Sequence, residues 1–351
     1  MTKVRGYAAL DDHSPLGPFE FERRDPGPHD VRIEISYTGI CHTDLHQSRN
    51  HWGGALYPMV PGHEIVGRVA EVGREVKKFK VGDLAGVGCM VDSCRECSAC
   101  HEDLEQYCEN GCTLTYNGKE RNSERVTFGG YSEQIVVDAR FVVKVPESLD
   151  LKAVAPLLCA GITSYSPLRH WQVGKGQRVG VIGLGGLGHM GIKFAKALGA
   201  EVTMVTTSAE KGKDARRLGA DDVLLSSDGS QLAKAAKSFD FLLDTIPVSH
   251  DLNPYLGLLK RDRTLVLVGA LTALEPAPMG YMLMGGRKSI AGSGIGGMAE
   301  TQEMIDFCAD HQIVSDVEML PIQSVNEAYA RLLKNDVRYR FVIDMASLRT
   351  S

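Results

Sequence analysis

Four cysteines crowd into one short stretch of the chain, with a spacing that suits a metal ion. Cys94, Cys97, Cys100 and Cys108 follow the pattern Cys-x2-Cys-x2-Cys-x7-Cys. Four thiolates around zinc close a tetrahedron and leave no position open for a substrate. The spacing therefore predicts a structural zinc site, with an iron–sulfur cluster as the alternative that the same four ligands allow.

A glycine-rich turn predicts a site for a dinucleotide. The apolar residues 179–182 lead into the turn Gly183-Leu184-Gly185-Gly186-Leu187-Gly188, which fits Gly-x-Gly-x-x-Gly, and an amphipathic segment follows. Glycines at these positions permit the turn, the approach of the pyrophosphate and the packing of helix on strand. Because the helix N-terminus offers free N–H groups to phosphates, we expect residues 183–188 to contact a nicotinamide dinucleotide.

The residues after the second strand of this region decide between NAD and NADP. An NAD enzyme places Asp or Glu there, about 20 residues after the glycines, to hold the ribose hydroxyls. This chain has Thr207 and Ser208 instead, followed by Lys211 and Lys213. Hydroxyl and ammonium groups attract a 2′-phosphate, which a carboxylate would repel. We therefore predict NADP(H), with Ser208, Lys211 and Lys213 as contacts, although Glu210 could still reach a ribose.

The composition argues against several classes of function. A formal net charge of -5 offers no basic field for nucleic acid or an anionic membrane. No apolar run approaches the roughly 20 residues of a membrane helix, and the first residues lack the apolar segment of a secretory signal. We expect a cytoplasmic protein that binds neither nucleic acid nor membranes.

The 351 residues are enough for two domains. Residues 1–150 alternate apolar and polar side chains in short runs between Gly and Pro, which predicts a β-rich domain. Residues 151–289 alternate strands and helices, which predicts an α/β, doubly wound parallel sheet of the Rossmann type. We expect residues 290–351 to return to the first domain. The predicted strands of the second domain are 178–183, 201–208, 222–226, 239–245, 264–269 and 289–293.

A catalytic metal site is harder to find, because its ligands can be far apart in the sequence. The candidates are Cys41 in Gly-Ile-Cys-His-Thr-Asp-Leu-His, His63 in Pro-Gly-His-Glu and Cys159 in Leu-Leu-Cys-Ala-Gly. Taken singly, each is more often a buried cysteine or a hydrogen-bonded histidine than a ligand.

Taken together, these segments make the chain resemble the zinc-containing medium-chain alcohol dehydrogenases, in the branch of cinnamyl alcohol dehydrogenases and NADP-dependent aldehyde reductases. Besides the four-cysteine loop, the shared motifs are residues 39–44, 58–64, 157–163, 183–188 and 335–342, in the family's order along nearly the whole chain. The resemblance implies a GroES-like catalytic domain, a Rossmann domain and two zinc ions per chain.

The resemblance also assigns the catalytic zinc. Cys41, His63 and Cys159 would be its ligands, and Glu64 would lie beside the metal as an alternative ligand. Asp44 would orient His63 through the ring nitrogen that faces away from the metal. In such a site zinc acts as a Lewis acid on a carbonyl oxygen, and NADPH supplies a hydride.

Further residues follow from the same resemblance. Thr43 would hydrogen-bond the substrate oxygen and contact the cofactor, and His46 would exchange the proton with water through a ribose hydroxyl. The family also places a set of residues around the nicotinamide half of the cofactor: Thr163, Thr245, Gly269, Ser293, Gly294 and Ile295.

Large side chains are candidates for the substrate channel. Trp52, Tyr57 and Tyr116 would suit aromatic and medium-length aliphatic aldehydes. Many plant relatives carry Phe where this chain has Gly294, so the missing ring favours a broad aldehyde reductase over an enzyme specific for cinnamyl substrates. We predict a homodimer that reversibly reduces such aldehydes to primary alcohols.

Two other functions fit parts of the sequence. An NAD-linked polyol or secondary-alcohol dehydrogenase shares the motifs but uses the acidic residue that this chain lacks after the second strand. A binding protein that kept the fold and lost the chemistry would have no need for intact Cys41, His63, Cys159, Thr43 and His46.

Overall fold

A computed structural model describes residues 1–269 and 272–350 of the chain. It divides into two compact units. The first unit comprises Met1–Cys159 together with the chain from Gly296 onward, and the second comprises Ala160–Ile295. In the described residues no helix is both long enough and apolar enough to cross a membrane.

Strands and short helices alternate with turns along the described chain. The strands are β1 (Thr2–Ala8), β2 (Gly17–Arg23), β3 (Asp30–Ile40), β4 (Ile65–Val72), β5 (Leu84–Val87), β6 (Met90–Asp92), β7 (Thr113–Leu114), β8 (Gln134–Asp138), β9 (Val143–Lys144), β10 (Arg178–Ile182), β11 (Glu201–Thr206), β12 (Asp222–Leu225), β13 (Phe239–Asp244), β14 (Leu259–Leu267), β15 (Ser289–Gly292), β16 (Val317–Pro321) and β17 (Arg340–Asp344). The helices are α1 (His42–Ser48), α2 (Ser98–His101), α3 (Leu151–Val154), α4 (Ala160–His170), α5 (Gly186–Ala197), α6 (Ala209–Arg217), α7 (Gly229–Lys234), α8 (Asn253–Leu258), α9 (Gly280–Met284), α10 (Met298–His311) and α11 (Val325–Leu333).

The main sheet of the first unit is built around β3. Its strand order is β16-β17-β3-β4-β5-β9, and β8 also pairs with β3. All of these pairs are antiparallel except β16 with β17. In β3 the buried Val31, Ile33 and Ile35 alternate with more exposed residues, as expected of a strand with one face in the core. The C-terminal strand β17 thus joins a sheet that begins near the N-terminus.

The second unit contains a six-stranded sheet in the order β12-β11-β10-β13-β14-β15. All of its strand pairs are parallel, and the order is the 3-2-1-4-5-6 arrangement of a dinucleotide-binding fold. Apolar side chains from neighbouring strands, such as Ile182, Val205, Leu242 and Leu265, fill its core. The predicted α/β fold with a doubly wound parallel sheet is confirmed.

The predicted strands of this sheet end one or two residues too late, and the largest error lies at the start of the fifth strand. We expected the fifth strand of this sheet to begin at residue 264, but β14 begins at Leu259. Leu259 pairs with Phe239 of β13, and two of the charged residues that follow bind one carboxylate. Lys260 and Arg263 both form ion pairs with Asp240, at 2.7 and 3.3 Å. The run of charges therefore extends the strand, although it shows no apolar alternation.

Candidate metal centres and nucleotide-binding edge

Four donor side chains of the first unit converge at one point. Cys41, His63, Glu64 and Cys159 each offer one ligand atom, and these atoms all lie within 4.8 Å of one another. Cys41 directly follows β3 and Glu64 directly precedes β4. Because β3 and β4 are antiparallel neighbours, the end of one strand lies beside the start of the other. The sheet register therefore brings together donors that are distant in the sequence.

Asp44 ties two of these donors together. Its side chain is fully buried, and Oδ1 lies 3.1 Å from His63 Nδ1. The same carboxylate accepts hydrogen bonds from the backbone N–H of Cys41 at 2.8 Å and of Gly62 at 3.1 Å. Because Nδ1 of His63 is engaged by Asp44, Nε2 is the nitrogen left for a metal. The first turn of α1 thus fixes both Cys41 and His63.

Glu64 is held by a residue that the sequence did not single out. Arg340, at the start of β17, binds Glu64 Oε1 through Nη2, and the two side chains are 7% and 0% exposed. Burial raises the pKa of Glu64, and the charge of Arg340 opposes that rise. Glu64 Oε2 is buried without a hydrogen-bond partner among the described residues. A Cβ atom on Gly39 would lie 1.9 Å from that oxygen, so only glycine fits there.

The two thiols of this cluster, Cys41 and Cys159, interact directly. Hydrogen bonding to Cys159, with help from His63 and against burial, lowers the pKa of Cys41 well below its usual value. The pKa of Cys159 rises well above the usual value through hydrogen bonding to Cys41 and Cys89 and through burial. The two Sγ atoms are 4.0 Å apart, close to the about 3.8 Å that tetrahedral zinc with bonds of about 2.3 Å requires. The donor set and its spacing therefore fit zinc.

The predicted relay residues lie on the helix that Cys41 begins. Thr43 Oγ1 lies 3.6 Å from Cys41 Sγ, and His46 is in the last turn of α1. Burial lowers the pKa of His46, and the charges of His51 and His42 lower it further. Both predicted residues thus lie on the same short helix as the first thiol of the cluster.

The predicted substrate residues are spread more widely. The ring of Tyr116 is buried and stacks on His63 with 5.7 Å between centroids. Trp52 is 41% exposed, and its ring centroid lies 5.1 Å from that of His46. Tyr57 donates its hydroxyl to the carbonyl of Ser48 at 3.0 Å. Trp52 therefore lies beside the predicted relay residue His46, and Tyr116 lies beside the metal donor His63. The Tyr57 hydroxyl is instead bonded to the backbone at the end of α1.

The four-cysteine loop brings its thiols into a second cluster. Cys94, Cys97, Cys100 and Cys108 also lie within 4.8 Å of one another. Two Sγ pairs, Cys94 with Cys100 and Cys97 with Cys108, are 3.9 and 4.0 Å apart. Backbone N–H groups of Cys94 and Glu109 donate to Sγ of Cys108 and Cys97. Such N–H donors stabilise thiolates, and hydrogen bonding led by the backbone N–H of Glu96 lowers the pKa of Cys94 to about 6.

Most of the predicted cofactor residues lie at one edge of the second sheet. Gly183, Ser208, Thr245, Gly269 and Ser293 follow β10, β11, β13, β14 and β15, in each case within two residues of the strand end. In a parallel sheet these carboxyl ends form the edge where dinucleotides bind. Gly294 and Ile295 continue the last of these segments, and the buried Thr163 lies on α4.

The glycine turn is packed so tightly that one position admits no side chain. A Cβ on Gly188 would lie 2.0 Å from the carbonyl oxygen of Gly183. Thr245 Oγ1 lies 2.8 Å from the carbonyl oxygen of Ile182 and 3.0 Å from that of Gly183. By contrast, a Cβ on Gly185 would meet open space, so its backbone is open to a ligand. Leu184, Gly186 and Leu187 complete the turn and the start of α5.

A charged pair supports the loop after β13. His250 Nε2 lies 2.7 Å from the fully buried Asp244 Oδ2, and His250 Nδ1 lies 2.8 Å from the carbonyl oxygen of Val248. With Asp244 ionised, both partners are acceptors, so a ring protonated at both nitrogens can donate to each of them. Hydrogen bonding to Asp244 raises the pKa of His250, against burial.

Known proteins match both parts of the chain. Residues 27–147 match the alcohol dehydrogenase GroES-like domain, and residues 186–310 match the zinc-binding dehydrogenase family. The chain is 53% identical over 347 residues to aldehyde reductase YahK of Escherichia coli, with 99% of each protein covered. The chain belongs to the zinc-containing medium-chain alcohol dehydrogenase family. The predicted family is confirmed, and the chain is an oxidoreductase of the alcohol dehydrogenase class.

Two further members of the family resemble this alcohol dehydrogenase along its length. The NADP-dependent alcohol dehydrogenase C 1 of Mycolicibacterium smegmatis is 52% identical over 354 residues, with 100% of each protein covered. Among solved structures, a cinnamyl alcohol dehydrogenase of Sorghum bicolor superposes with a TM-score of 0.94 at 48% identity, with 98% of each chain covered.

Proposed function

We propose that this chain is a zinc-dependent, NADP(H)-using alcohol dehydrogenase that reduces aromatic and medium-length aliphatic aldehydes to primary alcohols. The convergence of Cys41, His63 and Cys159, with Glu64 beside them, carries the proposal. Relatives named aldehyde reductase and NADP-dependent alcohol dehydrogenase share about half of its residues over their full length.

In the catalytic centre, Cys41, His63 and Cys159 would hold zinc, which when bound supplies a Lewis acid for a carbonyl oxygen. The chain's own residues set up that centre. Asp44 keeps the ring of His63 in one orientation, and Arg340 balances the charge of Glu64. When bound to the second unit, NADPH would supply the hydride.

The proton needed for an alcohol product would come from α1. Thr43 lies beside Cys41, where its hydroxyl can donate to a substrate oxygen. His46 would supply the proton through this hydroxyl and a ribose hydroxyl, since an imidazole exchanges protons near neutral pH. Trp52, Tyr57 and Tyr116 remain our candidates for the walls of the substrate channel.

The start of α6 supports the choice of NADP(H). Ser208 caps this helix by accepting the backbone N–H of Lys211 at 3.3 Å, so its hydroxyl hydrogen is still available to donate. Lys211 and Lys213 are exposed. A helix N-terminus with a hydroxyl and two ammonium groups favours a dianionic 2′-phosphate. The remaining cofactor residues, at 163, 183–188, 245, 269 and 293–295, would contact the pyrophosphate and the nicotinamide half.

The four-cysteine cluster would hold a second zinc ion with a structural role. Its sulfur pairs are 3.9 and 4.0 Å apart, close to the spacing in a tetrahedron around one zinc ion. An iron–sulfur cluster places several metal and sulfide atoms among its four thiolates and therefore spreads them further apart. The geometry thus favours two zinc ions per chain.

The proposal extends to the assembly and the compartment. We assign catalysis to residues 1–150 and 290–351 and nucleotide binding to residues 151–289; the compact units divide nearby, at Cys159/Ala160 and Ile295/Gly296. In the described sheet β15 has a neighbour on one side only, and Tyr281 and Met284 on nearby α9 are exposed, so we propose a homodimer through this edge.

No cysteine in the described chain forms a disulfide, which fits a cytoplasmic enzyme.

Steady-state kinetics at 340 nm test the proposal. Benzaldehyde and hexanal should both be reduced, with kcat/KM at least about 10-fold higher for NADPH than for NADH, since one charge-assisted contact is worth about 1.5–3 kcal/mol. Lys211→Ala should remove most of that preference by raising KM for NADPH. Lys234→Ala, which removes an exposed lysine from α7, is the matched control and should change nothing.

Metal analysis complements the kinetics. The purified enzyme should hold about two zinc ions per chain, and Cys41→Ser and Cys100→Ser should each lose about one. A preference for NADH with polyols or secondary alcohols would favour the NAD-linked dehydrogenase instead. A zinc-loaded protein that turns over neither aldehydes nor alcohols with either cofactor would favour a binding protein.

A further inference from the structure

A second histidine lies against the half-buried His46. His51 Nδ1 is 2.8 Å from His46 Nδ1, a hydrogen-bonding distance between two ring nitrogens. The backbone N–H of His51 also donates to the carbonyl of His46 at 3.0 Å, so the turn after α1 sets the spacing of the two residues. His51 itself is exposed to solvent.

This contact restricts where the two rings can carry hydrogen. One of the facing nitrogens must donate and the other must accept, because a neutral imidazole has one N–H and one lone pair. If both rings were charged, two N–H groups would point at each other. The pair can therefore hold one extra proton in total, and Nε2 of His46 is the nitrogen that remains to exchange a proton with another group.

Other rings hold His46 from further sides. The Trp52 ring lies at 5.1 Å between centroids with 33° between the planes, and the His42 ring lies at 6.3 Å with 25°. His46 therefore cannot turn without breaking its bond to His51 and its ring contacts. Besides His51, two titratable groups shift the pKa of His46: the charge of His42 lowers it and that of Cys41 raises it.

We propose that His51 is a positioning residue for proton transfer: it holds His46 by Nδ1, leaves Nε2 to pass a proton towards the alcohol through the ribose and Thr43 hydroxyls, and shares a single positive charge with His46. This inference rests on the proposed aldehyde reduction. In each turnover the N–H bond at Nε2 of His46 would break and, by transfer through the ribose and Thr43 hydroxyls, one O–H bond would form on the alcohol, while bound NADPH would supply the hydride. Water then returns one proton to the histidine pair.

Kinetics of the zinc-loaded enzyme test this role. His51→Ala should lower kcat about 10-fold at pH 7, since a misoriented acid loses part of its contribution of about 10²–10⁴-fold. KM for NADPH should stay the same. His51→Asn keeps an acceptor near the position of Nδ1 and should restore most of kcat. Because Asn takes up no proton, kcat should then persist to higher pH than in the wild type.

His29→Asn serves as the control, since it replaces an exposed histidine at a distant turn and should leave kcat and its pH profile unchanged. A His51→Ala variant with wild-type kcat and pH profile would overturn the inference.

A second measurement does not depend on turnover. In protein labelled with ¹³C at histidine Cε1, NMR should show that protonation of His46 is coupled to the His51 ring, as the Nδ1–Nδ1 contact requires. In His51→Asn, His46 should titrate as a single independent group. Two complete and independent titrations in the wild type would overturn the inference. If the wild type reduced no aldehyde with NADPH, the proposed function would fail, whereas the NMR titration would still decide whether the histidines are paired.

Discussion

Replacing Arg340 tests the buried charge pair beside the proposed zinc ligands. Arg340→Met keeps much of the side-chain volume but removes the cation that pairs with Glu64. Since the two side chains are 7% and 0% exposed, water cannot screen the carboxylate that remains. Glu64 must then stay ionised without a partner or take up a proton, and either change costs free energy.

The expected size follows from this burial. Removing one partner of a buried ion pair costs about 3–5 kcal/mol, so Arg340→Met should lower the free energy of unfolding of the first unit by about that amount. Replacing both charges, in Glu64→Gln with Arg340→Met, leaves no unpaired charge. The double variant should therefore cost at least about 2 kcal/mol less than the sum of the two single variants.

Urea unfolding measures these differences. The chain has two tryptophans, and a Trp171→Phe background leaves Trp52 in the first unit as the single fluorescent reporter. Zinc content is determined for every variant, so that metal loss is not mistaken for lost stability. Arg331→Met is the control, because Arg331 forms a half-exposed pair with Glu318 that solvent screens, so this variant should lose far less stability than Arg340→Met. Additive effects, or an Arg340→Met variant as stable as Arg331→Met, would refute the reasoning.

Two further predictions concern the second unit. Gly188→Ala should destabilise the second unit by about 1–3 kcal/mol in a thermal melt, because the new Cβ overlaps the carbonyl of Gly183. The control is Gly185→Ala, whose Cβ would meet open space, and it should leave the melting temperature unchanged. His250→Gln should destabilise the unit most below pH about 6.5, where the imidazolium bond to Asp244 is fully formed. Because the folded pKa of His250 is raised, this difference should shrink as the pH rises through that folded value, and a pH-independent difference would contradict the assignment.

The nucleotide-binding half could be predicted from the sequence because its signals are local. The turn at Gly183–Gly188 lies between a strand and a helix that show their own periodicity, so one short window contains the whole motif. The hydroxyls and lysines after β11 occupy another such window. The errors lay in the limits of the strands. At β14 the first residues are charged and bind Asp240, so no apolar alternation marks the start of the strand.

The metal centre could not be derived from local patterns, because the sheet assembles it from distant segments. Cys41 and Cys159 are 118 residues apart, and only the family resemblance joined them. Arg340 is 276 residues from Glu64; its motif, residues 335–342, was recognised, but nothing in it indicates a buried partner. The pairing of His51 with His46 depends on the conformation of the turn after α1, which spacing alone does not fix.

The pairing of β17 with β3 has a consequence for the order in which the enzyme is made. Phe341 of β17 lies opposite Ile40 of β3, so the sheet that carries Cys41 lacks an inner strand until β17 leaves the ribosome. Cys159 emerges 181 positions before Arg340, which at about 5–20 residues per second corresponds to roughly 10–40 s of synthesis. The second unit is contiguous and can fold during that interval, whereas the nascent first unit must keep its thiols reduced and its unfinished sheet from aggregating.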